Sequence, residues 1–233
     1  MSRVPGTEIN TLTFHVDTSR ANYPSVRLLI DGEDLLATTG MDEGNDPAHL
    51  FDTGALLPNK PPRRIAFYGC GCGEFGCGNV AGLITRGAGT IEWSDFRSVT
   101  GWYGAALPEP EAGPDSVANA EEWLEPSSRQ DLPTLRFDAI DYLAVVHAAM
   151  SDRSWETRTR AVVRHARALD PEISIWAFRD GDGVTVHERV AGVYRSTNLR
   201  LPEGDPDALA ARLVALLRRG ADPRRIAAQK LWK

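Results

Sequence analysis

All three cysteines of this 233-residue chain fall in one stretch, "GCGCGEFGCG", residues 69–78. Thiolates are zinc ligands and nucleophiles, so a clustered trio could serve either chemistry. The spacing Cys70-x-Cys72-x4-Cys77 can bring three sulfurs to one ion, because Gly69, Gly71, Gly73, Gly76 and Gly78 permit tight turns between them. Zinc takes four ligands in a tetrahedron, so one must come from elsewhere. His49 and Asp52 lie upstream, Glu74 lies inside the segment, and His187 could arrive from another hairpin. Spacing selects none of them. Cys70, Cys72 and Cys77 are read as ligands of a structural zinc ion, with no other cofactor expected.

Other chemistries compete for the same residues. A catalytic thiolate needs a depressed pKa and a base beside it. The histidines are His15, His49, His147, His165 and His187, and all but His49 lie on predicted strands or helices. No local signature of a cysteine hydrolase surrounds the thiols. A reversible disulfide between Cys70 or Cys72 and Cys77 is a further reading. With no chemistry at all, the segment is a tight β-connection of small side chains. The pattern Gly71-x-Gly73-x-x-Gly76 is followed by a strand rather than a helix, which excludes a dinucleotide fingerprint. No Walker loop, HExxH or GxSxG occurs. Asp42, Glu43, Asp46 and Asp52 share a loop and are read as solvated turn residues.

The elements around the cysteines must position them. "RRIAFYG" (63–69) and "NVAGLITR" (79–86) read as strands, so the thiols sit on a connection between antiparallel neighbours. "GAG" (87–89) turns into a third strand, "TIEWSDF" (90–96). Upstream, 9–19 and 25–36 read as strands, the second reaching a turn at Asp31-Gly32. Residues 37–62 read as a packed loop with one helical turn. Downstream, a strand at 134–138 leads into a helix at 139–150, with Ile140, Leu143, Val146, His147 and Met150 on one face. A second helical register runs through 151–169, and "RDGDG" (179–183) marks a hairpin. Two Asp-Pro starts announce helices near 205 and 222, and Gly220 ends the first of them.

The run "RRIAFYGCGCGEFGCGNVAGLI…TIEWSDF", with "FDAIDYLAVVHAAMSDRSWE" (137–156), resembles a group of uncharacterised actinobacterial proteins. That group carries a CxCGxxGC segment between antiparallel strands. The resemblance covers about a third of the chain and implies no activity. It implies that the two regions share a domain.

Charge is unevenly placed. The formal net charge is −6, and residues 106–132 alone hold seven acids against Arg129. Residues 218–233 carry six bases against Asp222, and Arg153, Arg158, Arg160, Arg164 and Arg167 line the preceding helical register. Such bases can meet nucleic-acid phosphates, or they can simply be solvated. No apolar run approaches the roughly 20 residues that span a bilayer, so no membrane partner is expected. The first ten residues lack a secretory h-region, so a cytoplasmic location is expected.

The expected architecture is one α+β domain over 1–233. It has an antiparallel sheet with helices on one face, an acidic Pro-rich excursion at 106–132 and a C-terminal helical appendage at 205–233. Trp93, Tyr142 and Trp155 are expected beneath the helices. The expected function is non-enzymatic: binding another protein, with the cysteine turn as a metal clip. A cysteine-dependent enzyme and a nucleic-acid binder using the basic C-terminal helices are the alternatives.

Overall fold

A computed structural model describes residues 8–35, 39–41, 43–70, 78–99, 129–178, 181–190 and 193–227, without the side chains of 189, 190 and 194. The chain is α+β, with antiparallel sheets and helices at its C-terminal end. Its contacts divide it into two compact units. The first comprises 1–17 and 24–152, the second 18–23 and 153–233.

The first unit is built from strands β1 (Leu12–Asp17), β2 (Ser25–Ile30), β3 (Glu33–Asp34), β4 (Glu43–Gly44), β5 (Arg63–Gly69), β6 (Asn79–Arg86), β7 (Thr90–Val99) and β8 (Leu135–Asp138). They form a three-stranded sheet, β1-β2-β3, and a five-stranded sheet, β4-β5-β6-β7-β8. The Asp31-Gly32 turn is as expected, with both residues at positive φ (54° and 84°), the conformation a two-residue hairpin favours.

Two isolated bridges join the sheets. Val26 pairs with Asn45 beside β4, and Asn10 pairs with Phe137 of β8. Val26 N–H donates to the Asn45 carbonyl at 2.8 Å, and Asn10 N–H to the Arg136 carbonyl at 2.6 Å. Asn10 Oδ1 accepts the Arg136 N–H at 3.0 Å. The pairing thus runs as a ring, and closing a ring removes the open edges at which sheets aggregate.

Inside the ring lies an aromatic core. Trp93, Phe67 and Tyr68 are fully buried. Phe67 and Tyr68 both face inward because β5 carries a bulge between Ala66 and Tyr68. The Trp93 ring lies 4.5 Å from Phe67 and 5.1 Å from Phe137, centroid to centroid. Helix α1 (Ala139–Ser151) inserts Tyr142, whose hydroxyl accepts from Trp93 Nε1 at 3.0 Å and donates to the Leu56 carbonyl at 2.7 Å. A single π-helical turn, Ala48–Asp52, supplies Leu50 and Phe51, which is the helical turn expected in the 37–62 loop. Gly82 makes room here, since a Cβ at that position would meet the Phe67 and Phe96 rings at 3.0 Å, so that the rings would have to shift.

The α1 face differs from expectation. Ala139, Tyr142 and Val146 are buried, and Ile140 is 79% exposed. The helix is apolar around most of its girth, so periodicity could not choose its inward face. The bonds of Tyr142 choose it.

The second unit packs helices α2 (Arg158–Leu169), α3 (Pro206–Arg218) and α4 (Pro223–Ala227) with strands β9 (Ser174–Ala177), β10 (Gly183–Val190) and β11 (Val193–Arg200). The sheet order is β11-β10-β9. Val184, Val186, Ile175 and Leu199 face a core shared with Val162 and Ala166 of α2 and with Leu213 and Val214 of α3. Thr185 and Asn198 bond across the opposite face at 3.1 Å. Strand β11 had no sequence assignment, and the second helical register begins only at Arg158, capped by Thr157. Trp155 is buried in this unit, apart from Trp93 and Tyr142.

Candidate functional site

The cysteine segment grows from the end of the β5–β6 ladder. Gly69 pairs with Asn79, and Cys70 N–H then donates to the Gly78 carbonyl at 2.9 Å. Residues 71–77 form the connection, so Cys72, Glu74 and Cys77 lie outside the described residues. Cys70 is half-buried at its root. A Cβ on Gly78 would lie 3.9 Å from the Cys70 Cβ, so the two flanks of the connection stand side by side.

Asn79 stands at the foot of this hairpin, on the outer face of the ring. It is 3% exposed, and its Nδ2 is buried with no hydrogen-bond partner among the described residues. Its Oδ1 would lie 3.6 Å from a Cβ on Gly69, which places the amide across the strand pair beside Gly69. Sequence reasoning passed over Asn79, because an asparagine opening a strand reads as turn chemistry.

The proposed fourth ligands are scattered. His49 is buried on the π-helical turn and Asp52 is exposed at its end. His187 belongs to β10 of the second unit, where its Nδ1 lies 2.9 Å from Ser196 Oγ. Among the described residues, no three His, Cys, Asp or Glu side chains are grouped to hold a metal ion. Of the remaining histidines, His147 is exposed on α1, and His165 Nε2 lies 2.6 Å from Asp207.

The same outer face carries a charge cluster. Strand β7 bulges opposite Gly82, and Asp95 takes a positive φ of 47° there. Its carboxylate meets Arg64 Nη2 at 2.6 Å and Arg97 Nε at 2.7 Å. Arg64 also donates to the Asp95 carbonyl at 2.5 Å, and its side chain is only 2% exposed. Burial alone would raise the Asp95 pKa, but the two guanidinium groups outweigh it and hold the carboxyl below its usual range. Between this cluster and Asn79 lie Ala66, Ala81 and Val99, all buried. Arg64 and Asp95 are 31 positions apart, and neither carries a motif.

The second unit has an open cleft of about 520 Å³, lined by Ile173, Val186, Leu217 and Ala221 with Glu188 and Arg195 among its polar residues. The arginines of the 153–167 stretch have partners within the unit. Arg158 donates to the Pro202 carbonyl at 2.7 Å, and Arg160 to the Asn22 carbonyl at 3.1 Å. Arg164 grips Glu156 with two bonds of 2.7 and 2.8 Å. Arg167 donates to the Ile175 carbonyl and lies 4.2 Å from the Trp176 ring centroid, while Arg153 lies 5.8 Å from that of Trp155. Among the described residues, no helix is long and apolar enough to cross a membrane.

Comparison with protein-family models, curated proteins and solved structures finds no match to this chain.

Proposed function

We propose that this chain is a non-enzymatic cytoplasmic protein that binds another protein, and that Cys70, Cys72 and Cys77 clip one structural zinc ion. The observation that carries the clip is the bond between Cys70 N–H and the Gly78 carbonyl. It closes a connection that contains the other two thiols. The three thiols fall within eight positions of a chain whose flanks, Cys70 and Gly78, are bonded to each other. Cys72 is two residues from Cys70, within about 7 Å. The spacing Cys-x-Cys-x4-Cys can bring three sulfurs to one ion, because the glycines between them let the backbone turn. The fourth ligand comes from His49, Asp52, Glu74 or His187, or from solvent.

The interaction role rests on charge. An acidic segment at 106–132 and a basic one at 218–233 are complementary surfaces for a charged protein partner. The α2 arginines are spent on carbonyls, a carboxylate and aromatic rings of their own unit. They are therefore not counted toward that surface.

Elemental analysis of the purified protein, with thiol titration before and after denaturation, tests the clip. The expected result is one zinc per chain, three thiols protected until unfolding, and loss of structure on chelation. No metal and three freely titrating thiols would sink the reading. One fast-alkylating thiol, with the fold retained after its exchange for serine, would point to an enzyme instead.

A further inference from the structure

Among the described residues, one long sheet edge is left open. The strands of the first unit close into a ring. In the second unit β9 is four residues long, and Arg167 occupies its outer side by donating to the Ile175 carbonyl at 2.7 Å. Strand β11 ends the sheet on the other side, in unbroken register with β10 from Val193 to Arg200. Leu201 N–H donates to the Asp182 carbonyl at 3.2 Å. Antiparallel bonds alternate from there, so Leu199, Thr197, Arg195 and Val193 turn their backbone groups to β10. Tyr194, Ser196, Asn198 and Arg200 turn theirs outward, where no described residue meets them. Ser196, Asn198 and Arg200 are exposed, and the strand has no glycine, proline or bulge to spoil further pairing.

This edge is also positively charged. Arg195 and Arg200 stand on β11, and α4, which packs against the strand, carries Arg224 and Arg225. All four are exposed, and none has a side-chain partner among the described residues. The α2 arginines, by contrast, are held by their own unit. We infer that β11 is a docking edge for an extended acidic segment of a partner protein, which adds to the sheet as a fourth, antiparallel strand. The backbone ladder supplies affinity and the arginines select acids. A nucleic acid would satisfy the arginines and leave the outward N–H and C=O groups unmet. A second copy of β11 would bring the same cations to the edge, which disfavours self-pairing. The inference rests on the protein-binding reading above and deepens it, naming the strand that binds and the conformation and charge of what it takes.

The probe is a fluorescein-labelled peptide of eight residues, alternating threonine and valine, with glutamate at its first and sixth positions. Laid antiparallel to β11, those glutamates stand opposite Arg200 and Arg195. Binding to the full chain is read by fluorescence anisotropy, and the edge by hydrogen exchange. The expected result is saturable binding that weakens with salt and slows exchange at Ser196 and Asn198. N-methylation of the third and fifth peptide residues, which face Asn198 and Ser196, should abolish binding, as should lysine in place of both glutamates. Arg200→Glu and Arg225→Glu change exposed residues and should each weaken binding about 10-fold or more, with circular dichroism unchanged from the parent. A peptide that binds equally well when N-methylated overturns strand addition and leaves charge-driven protein binding standing. An acidic peptide that does not bind at all overturns both. A single-stranded oligouridine that protects the same amides, or a dimer of the chain that does so, overturns the peptide assignment.

Discussion

Asp95 shows how much can rest on one side chain. Its left-handed backbone costs about 1–2 kcal/mol for a residue with a Cβ. Its carboxylate repays this by neutralising Arg64, whose side chain is 2% exposed. Asp95→Asn keeps the shape and tolerates the backbone but leaves the buried guanidinium without its counter-charge. We expect a loss of about 3 kcal/mol, the low end for a broken buried pair, because the Asp95 side of the pair is 32% exposed. Urea unfolding at pH 7 measures it. The pH dependence has a definite sign. The folded carboxyl has the lower pKa, so its stabilisation is fully present above the unfolded value near 4. It disappears as pH falls through the lower folded value. The gap between parent and Asp95→Asn should therefore narrow in acid, and a gap independent of pH would refute the ionic role. Tyr142 is the neutral counterpart. Burial pushes its phenol well above the ordinary value, although the bond from Trp93 opposes this, so it remains a neutral donor and acceptor. Tyr142→Phe orphans both Trp93 Nε1 and the Leu56 carbonyl. It should cost about 1–3 kcal/mol for each group left unpaired, read from the same unfolding curves.

Among the elements, those with local chemistry were legible. Asp205 caps α3 by accepting the Ala208 N–H at 3.0 Å, with Pro206 at the first helical position, as the Asp-Pro pair implied. Asp205→Ala should cost about 1 kcal/mol, seen as a lower unfolding midpoint. An unchanged midpoint would mean that the tertiary core alone holds the helix start. The β5–β6 and β6–β7 pairings were legible too, because alternation and glycine turns are local signals. Strand β11 was not, since "VYRSTNLR" is polar at five of its eight positions and, among its described side chains, buries Leu199 alone. The inward face of α1 was not legible either, because long-range bonds select it.

At the scale of the molecule, contacts separate two compact units with two cores. Two cores need not melt together. Leu213→Ala in the second unit should remove about 2–5 kcal/mol there. Tyr142→Phe weakens the first. Calorimetry of the full chain should show two transitions, with each substitution lowering a different one. If both substitutions lower a single common transition, the units unfold as one. Residues 18–23 belong to the second unit although most of the chain before Arg153 belongs to the first. Asn22 explains this, since it accepts from Thr157 Oγ1 at 2.5 Å and donates to the Gly181 carbonyl at 2.6 Å. No local pattern marks such a residue.

The sequence by itself determined the α+β class, most strand and helix positions, the Asp31-Gly32 turn, the Asp-Pro helix starts and the crowding of all three thiols into one connection. Each follows from forces acting over a few residues: backbone preference, side-chain period and capping. The tertiary structure alone decided that two sheets join in a ring, that Asp95 neutralises Arg64, that Asn79 is buried opposite Gly69 and that the contacts form two units. Those outcomes depend on which distant faces meet. Burial of apolar surface drives such meetings without regard to direction, so only the completed packing reveals which polar groups end up paired.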